Sequence, residues 1–109
     1  MTKITYLVNI VEKRTAHYSL DTIKTYIRNE NYFVTQTARQ NYFSLGLDDD
    51  EVIEIIMGLT PKNLYKSMTS YFDHKIWHDV YHEDYFGLKL YIKLQINENA
   101  IIISFKERT

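Results

Sequence analysis

The last quarter of the chain carries the pattern that most restricts the fold. Apolar and polar residues alternate from Leu88 to Ile96, and a second run, rich in β-branched residues, extends from Ala100 to Lys106. A period of two residues is typical of β-strands with one buried face. Because the turn formers Asn97-Glu98-Asn99 separate the two runs, the pattern predicts an antiparallel hairpin.

The register of this hairpin follows from matching its two apolar faces. With a two-residue loop at Glu98-Asn99, the predicted core pairs are Ile96 with Ile101, Leu94 with Ile103, and Ile92 with Phe105. The same register predicts Tyr91 opposite Lys106 on the polar face, with Cβ atoms roughly 5 Å apart. A slip of two residues would keep the faces but make this pair diagonal neighbours.

The segments before the hairpin alternate between helical and extended patterns. Apolar spacing predicts three helices: one begins after Ser19, a second spans residues 36–44, and a third begins after Asp48 or Asp49. Thr60-Pro61 predicts a single helical turn. Aromatic and β-branched runs predict strands, weakly at 4–10 and then at 32–35, 64–71 and 75–81. The run 64–71 could instead be helical, and residues 82–87 are predicted to separate two strands. N-terminal helices covering a C-terminal, mostly antiparallel sheet make an α+β fold.

Size and composition exclude several protein classes. The 109 residues suit one domain spanning 1–109. The absence of cysteine excludes disulfide frameworks, thiolate zinc sites and cysteine nucleophiles. The N-terminus does not resemble a signal peptide, and no apolar run is long enough to cross a membrane, so we expect a cytoplasmic protein.

Three histidines at intervals of four residues raise the question of a metal site. On a helix, His74 and His78 would be neighbours able to chelate an ion, with His82 one turn further. In a strand, four residues span roughly 13 Å, too far for one ion. Since Ile76-Trp77 and Val80-Tyr81 favour a strand, we expect no metal site.

A set of lysines and aromatic residues offers a different chemistry. Lys66, Tyr91, Lys93 and Lys106 could line a groove, with Tyr65, Tyr71 and Trp77 available for stacking. Lysines hold phosphates and rings stack bases in complexes with single-stranded RNA. The alternative is ordinary solvation of a polar sheet face. The net charge is only −1, but an acidic cluster at Asp48–Glu54 leaves the rest of the chain locally basic.

Several blocks resemble the motility quorum-sensing regulator (MqsR) family of toxins. They are the opening Glu12–Leu20, the central Leu64–Tyr71 with Asp73-His74 and Ile76–Tyr81, and the C-terminal Tyr91-Ile92-Lys93 and Ile103–Glu107. Their order and spacing cover residues 12–107, so that residues 1–11 are an extension before the family-like region.

The resemblance implies a fold, an activity and partners. Members are cytoplasmic toxins of bacterial type II toxin–antitoxin systems with a RelE-like fold. They are metal-independent endoribonucleases that cut mRNA at GCU-like sequences without the ribosome and need no cofactor. A cognate antitoxin neutralises them, and operator DNA is bound only through that antitoxin.

The resemblance also assigns site residues. Lys66, Tyr91 and Lys106 match catalytic positions of the family, and a family glutamine matches His78. His78 titrates near neutrality and could act as acid or base, but strand alternation groups it with Ile76 and Val80, which favours a structural role.

We expect four further residues to bind RNA, namely Tyr65, Met68, Lys93 and His17. The alternative to an enzyme is a non-catalytic binding module, either a degenerate toxin that still binds its antitoxin or a DNA co-regulator.

Overall fold

A computed structural model describes residues 10–109, which form three helices and six strands. The helices are α1 (Leu20–Arg28), α2 (Gln36–Ser44) and α3 (Asp49–Met57), followed by a 3₁₀ turn at Pro61–Asn63. The strands are β1 (Glu12–Lys13), β2 (Tyr32–Val34), β3 (Leu64–Thr69), β4 (Trp77–Tyr85), β5 (Leu88–Asn97) and β6 (Asn99–Glu107). The strand predicted at 4–10 lies outside the described residues, apart from residue 10. None of the helices described is both long and apolar enough to cross a membrane.

The six strands form one sheet in the order β1-β3-β4-β5-β6-β2. All neighbours are antiparallel except β2, which runs parallel to β6. The α+β class is therefore confirmed, but the expected order of helices first and sheet second is too simple. Both edge strands come from the N-terminal half, since β1 precedes α1 and β2 connects α1 to α2.

The helices begin where the sequence predicts them, because side-chain oxygens satisfy the free amides of their first turns. Ser19, Thr35 and Asp48 are the three N-caps, and Asp48 forms a reciprocal capping box with Glu51. The apolar stripes of the helices pack on one face of the sheet to form the core. That stripe in α1 is Leu20, Ile23 and Ile27, as the spacing predicted.

The β5–β6 hairpin confirms half of the predicted register. Tyr91 pairs with Lys106 and Ile92 with Phe105, as expected. The predicted pairs Leu94–Ile103 and Ile96–Ile101 are wrong, because Leu94 pairs with Ile102 and Ile96 with Ala100. The register shifts between Lys93 and Leu94, which leaves Ile103 unpaired as the extra residue of a β-bulge. The bulge turns Ala100 and Ile102 into the core beside Phe105.

The predicted loop at 82–87 is also wrong, because β4 continues to Tyr85. Residues 82–85 pair in register with residues 88–91 of β5. The connection shrinks to Phe86-Gly87, whose φ angles are 47° and 88°. Two consecutive positive φ values are typical of the tightest hairpin turns, which match the twist of the flanking strands. The longer strand places His82 within the sheet.

A buried carboxylate fixes the segment between β1 and α1. Asp79 of β4 is completely buried and accepts hydrogen bonds from the backbone amides of His17 and Tyr18 at 2.9 Å each. The Tyr18 hydroxyl donates to the Trp77 carbonyl at 2.8 Å. These bonds hold the chain that leads back to β1 against the centre of the sheet.

Candidate active site

The face of the sheet opposite the helices, called here the open face, carries the polar groups. Register and strand alternation place its side chains in rows across the strands. One row contains His82, Tyr91 and Lys106, and the next contains Lys66, Val80, Lys93 and Ser104. A third row contains Glu12, Met68, His78 and Gln95. The polar face predicted to carry Tyr91, Lys93 and Lys106 is therefore confirmed, and Lys66 joins it.

The row of His82, Tyr91 and Lys106 lines a cleft of about 360 Å³. Tyr65 covers this row from the bulge in β3, with its ring stacked on the His82 imidazole at 4.2 Å between centroids. The His82 and Tyr91 ring centroids are 6.2 Å apart. The cleft is open to solvent on one side, and Glu107, Arg108 and Thr109 complete its wall.

Positive charge converges on the two tyrosine rings. The ammonium nitrogens of Lys106 and Lys93 lie 5.0 Å and 5.8 Å from the centre of the Tyr91 ring. The Lys66 ammonium and the Arg14 guanidinium each lie 5.5 Å from the centre of the Tyr65 ring. Such an arrangement offers cations for phosphate oxygens and a ring face for a base.

One carboxylate balances part of this charge. The Glu12 side chain, on β1, forms an ion pair with the ammonium of Lys66, whose side chain is 18% exposed. Arg14 lies two residues further along the chain and donates a hydrogen bond to the Tyr65 carbonyl at 3.1 Å. Strand β1 thus brings an anion to Lys66, and the loop after it brings a cation to Tyr65.

The protonation of Tyr91 is set by its burial more than by the cations around it. Clustered cations could lower the pKa of a tyrosine enough to make it a base. Instead the pKa of Tyr91 is raised, mainly by burial and further by Tyr65 and by the charge of Glu12. Tyr91 therefore keeps its proton at neutral pH and can donate it. The pKa of Lys93 is lowered by burial and by the neighbouring Lys106 and Lys66.

The two histidines of β4 occupy different parts of the open face. His78 does share its face with Val80, but that face also carries the lysines, so it is not the apolar surface that alternation suggested. Burial lowers the pKa of His78, and Lys93 lowers it further. His78 lies in the third row and His82 in the first, at the cleft itself.

The remaining residues expected to bind RNA are divided between the two faces. Met68, half-buried, lies beside His78 on the open face. His17 is not brought to this cluster, because it stacks on Trp77 at 5.2 Å and its backbone binds Asp79. By alternation Trp77 and Asp79 point to the helix-covered face, so His17 and Trp77 lie behind the sheet. Tyr71 is exposed in the loop before β4.

Sequence patterns alone missed three residues of the site. Glu12 and Arg14 come from a two-residue strand and the loop after it, which carry no periodic pattern. His82 was assigned to a loop, although its spacing from His78 would have placed it on the same face had β4 been extended. Within residues 10–109 no three histidine or carboxylate side chains are grouped closely enough to hold a metal ion.

Two comparisons with known proteins identify similar sequences. The family described as "Motility quorum-sensing regulator, toxin of MqsA" matches residues 15–107. The chain is also 39% identical, over 98 residues, to the mRNA interferase toxin MqsR of Escherichia coli (strain K12). That similarity covers 90% of this chain and 100% of the relative.

Proposed function

The chain belongs to the family of motility quorum-sensing regulator toxins, and from that premise we propose that it is an mRNA interferase, an endoribonuclease toxin. One observation supports this most directly. On the open face Lys93 and Lys106 lie over the Tyr91 ring and Lys66 lies over the neighbouring Tyr65 ring, where an extended RNA strand can reach these side chains.

Cleavage without a metal needs three things from the protein. The RNA 2′-hydroxyl must lose a proton, the phosphorane must be stabilised by cations, and the leaving 5′-oxygen must gain a proton. In our proposal Lys66 and Lys106 stabilise the phosphorane, and Tyr91, which keeps its proton, is the acid. Lys93, Tyr65 and Met68 hold the adjoining nucleotides. His78, which lies two rows from Tyr91, and His17, which lies behind the sheet, remain proposed contacts to parts of the RNA away from the scissile phosphate.

The fold, the compartment, the cleavage sites and the partners that we propose are those that the family resemblance implies. Residues 1–109 form one RelE-like domain with residues 1–11 as an extension. The toxin acts in the cytoplasm, cuts at GCU-like sites without the ribosome, and is neutralised by a cognate antitoxin. Operator DNA is reached only through that antitoxin. The family description, which names a toxin of MqsA, supports a protein antitoxin as partner.

The direct test is digestion of a defined mRNA by the purified protein in EDTA, with the new ends mapped. We expect 2′,3′-cyclic phosphate and 5′-hydroxyl ends clustered at GCU-like sites, in the absence of ribosomes. Cleavage that requires added metal, or RNA that is shifted on a gel but left intact, would contradict the nuclease. The second outcome would identify a binding module instead.

Neutralising Glu12 should tighten RNA binding. Glu12→Gln removes the anion that competes with phosphate for the Lys66 ammonium. Because exposed ion pairs are weak, we expect Kd to fall only about 3-fold at low salt. The slope of log Kd against log salt concentration should increase by roughly 0.7, the contribution of one additional phosphate contact to a single strand. The measurement uses RNA with 2′-deoxy linkages, which binds without being cut.

A matched charge change far from the cleft is the control. Glu98→Gln alters an exposed glutamate at the β5–β6 turn, at the opposite end of the hairpin from Tyr91. It should leave Kd within experimental error. An equal effect of the two variants would mean that net charge, and not the Glu12–Lys66 pair, governs binding.

A further inference from the structure

The mechanism above contains an acid and cations but still lacks a base. We propose that His82 is the general base that removes the proton from the RNA 2′-hydroxyl. This inference rests on the proposed nuclease function and adds a catalytic residue to it. The sequence analysis considered His82 only as part of a possible metal site, and its position at the cleft follows from the unexpected length of β4.

The geometry places the imidazole at the reacting groups. His82 pairs directly with Tyr91 across β4 and β5, and Tyr91 pairs with Lys106 across β5 and β6. The three side chains line one cleft. The His82 and Tyr91 rings are 6.2 Å apart between centroids, so a phosphate held beside Tyr91 by Lys106 would have the imidazole within reach of the 2′-oxygen and the phenol within reach of the 5′-oxygen.

Ring stacking orients the imidazole, and a hydrogen bond anchors the backbone of His82. Its ring stacks on Tyr65 at 4.2 Å with an angle of 15° between planes. The His82 backbone carbonyl accepts a hydrogen bond from the Asn63 side-chain amide at 2.9 Å. A fixed orientation is what general base catalysis needs, since a misplacement of about 1 Å can cost 10²-fold in rate.

The charges around His82 favour its neutral form. Burial lowers the pKa of His82, and Arg108 and Lys66 lower it further against the opposing charge of Asp84. The other titratable groups of the cleft are Tyr65 from β3, Tyr91 from β5, and Lys106 and Glu107 from β6. Because an unperturbed histidine titrates near 6.5, a lowered pKa leaves the imidazole unprotonated, and able to accept a proton, at neutral pH.

The proposed step balances without any co-reactant. His82 takes the 2′-hydroxyl proton, the 2′-oxygen forms a bond to phosphorus, and the bond from phosphorus to the 5′-oxygen breaks. Tyr91 gives its proton to that oxygen. The products are a 2′,3′-cyclic phosphate and a 5′-hydroxyl, and the proton on His82 returns to Tyr91 through solvent.

The test compares pH–rate profiles of the wild type and of His82→Gln under single-turnover conditions in EDTA. The wild type should lose activity as pH falls through an apparent pKa below 6.5, because protonation removes the base. His82→Gln should be about 10²-fold slower at neutral pH, as is usual for loss of an acid–base group, and should lack this acidic limb. In His82→Gly, added imidazole should restore activity at least 10-fold.

Three controls separate catalysis from folding and binding. His74→Gln alters an exposed histidine in the loop before β4 and should retain the wild-type profile. The Kd of His82→Gln for 2′-deoxy RNA should stay within about 3-fold of wild type, and its thermal midpoint should be similar. If the wild type cleaves RNA and His82→Gln keeps both the wild-type rate and the acidic limb, His82 is not the base. The proposed nuclease function would still hold in that case. Loss of the acidic limb in His78→Gln, with the limb retained in His82→Gln, would overturn the role of His82 equally.

Discussion

Replacing Lys106 by alanine should slow RNA cleavage about 10³-fold, as does removal of one charge-stabilising group from other enzymes. The Lys106 ammonium lies 5.0 Å from the centre of the Tyr91 ring, at the mouth of the cleft, where the phosphorane develops its extra negative charge. Lys66→Ala and Tyr91→Ala should each slow cleavage at least about 10²-fold, through a lost cation and a lost proton donor. Single-turnover cleavage of a defined mRNA measures all three.

The control for the lysine variants is Lys62→Ala, which removes an exposed lysine of the 3₁₀ turn and should cleave at the wild-type rate. Circular dichroism establishes that each variant is folded. Should the three folded variants of Lys66, Tyr91 and Lys106 retain nearly full activity, these residues would not form the active site. Lys106 is exposed near the end of β6, so replacing it should disturb folding least. Its variant is therefore the most informative of the three.

Replacing Asp79 by alanine should lower the free energy of unfolding by about 3 kcal/mol. The change leaves two backbone amides, those of His17 and Tyr18, without the buried acceptor that they bind at 2.9 Å. A buried donor without a partner costs about 1–3 kcal/mol, and a small cavity adds to this. Urea unfolding at constant m-value measures the loss.

Asp79→Asn should lose less stability, because one amide oxygen still accepts a hydrogen bond. Asp50→Ala, on the exposed first turn of α3, should change stability by less than about 1 kcal/mol. A loss below about 1 kcal/mol for Asp79→Ala would show that water replaces the carboxylate without cost, and that the segment from β1 to α1 is held by other contacts.

The parts that were predictable from sequence are those that a local period specifies. Two of the helix caps, Ser19 and Asp48, follow from their position just before an apolar stripe. The pairing of Tyr91 with Lys106 follows from strand alternation, since burial of one face allows few registers. The bulge at Ile103 depends on how Ala100 and Ile102 pack under the helices, which no strand pattern contains. Its effect is confined to the turn end of the hairpin, so the Tyr91–Lys106 pair was still predicted correctly.

The parts of the site that were missed depend on pairing between distant segments. His82 lies in a polar run that looks like a loop, and it is extended only because β5 pairs with it through a two-residue turn. Glu12 reaches Lys66 only because β1 pairs with β3. Both residues needed tertiary contacts to be located, which single-sequence patterns do not encode.

The two edges of the sheet have a kinetic consequence. The contacts that attach them are remote in sequence, with a separation of 58 positions from Val11 to Thr69 and of 68 from Thr35 to Ile103. Closing such long loops lowers the conformational entropy of the chain before the stabilising contacts form. We therefore expect the meander of β4, β5 and β6 to assemble first and its flanking strands to dock last, with an overall folding time of milliseconds to seconds rather than microseconds.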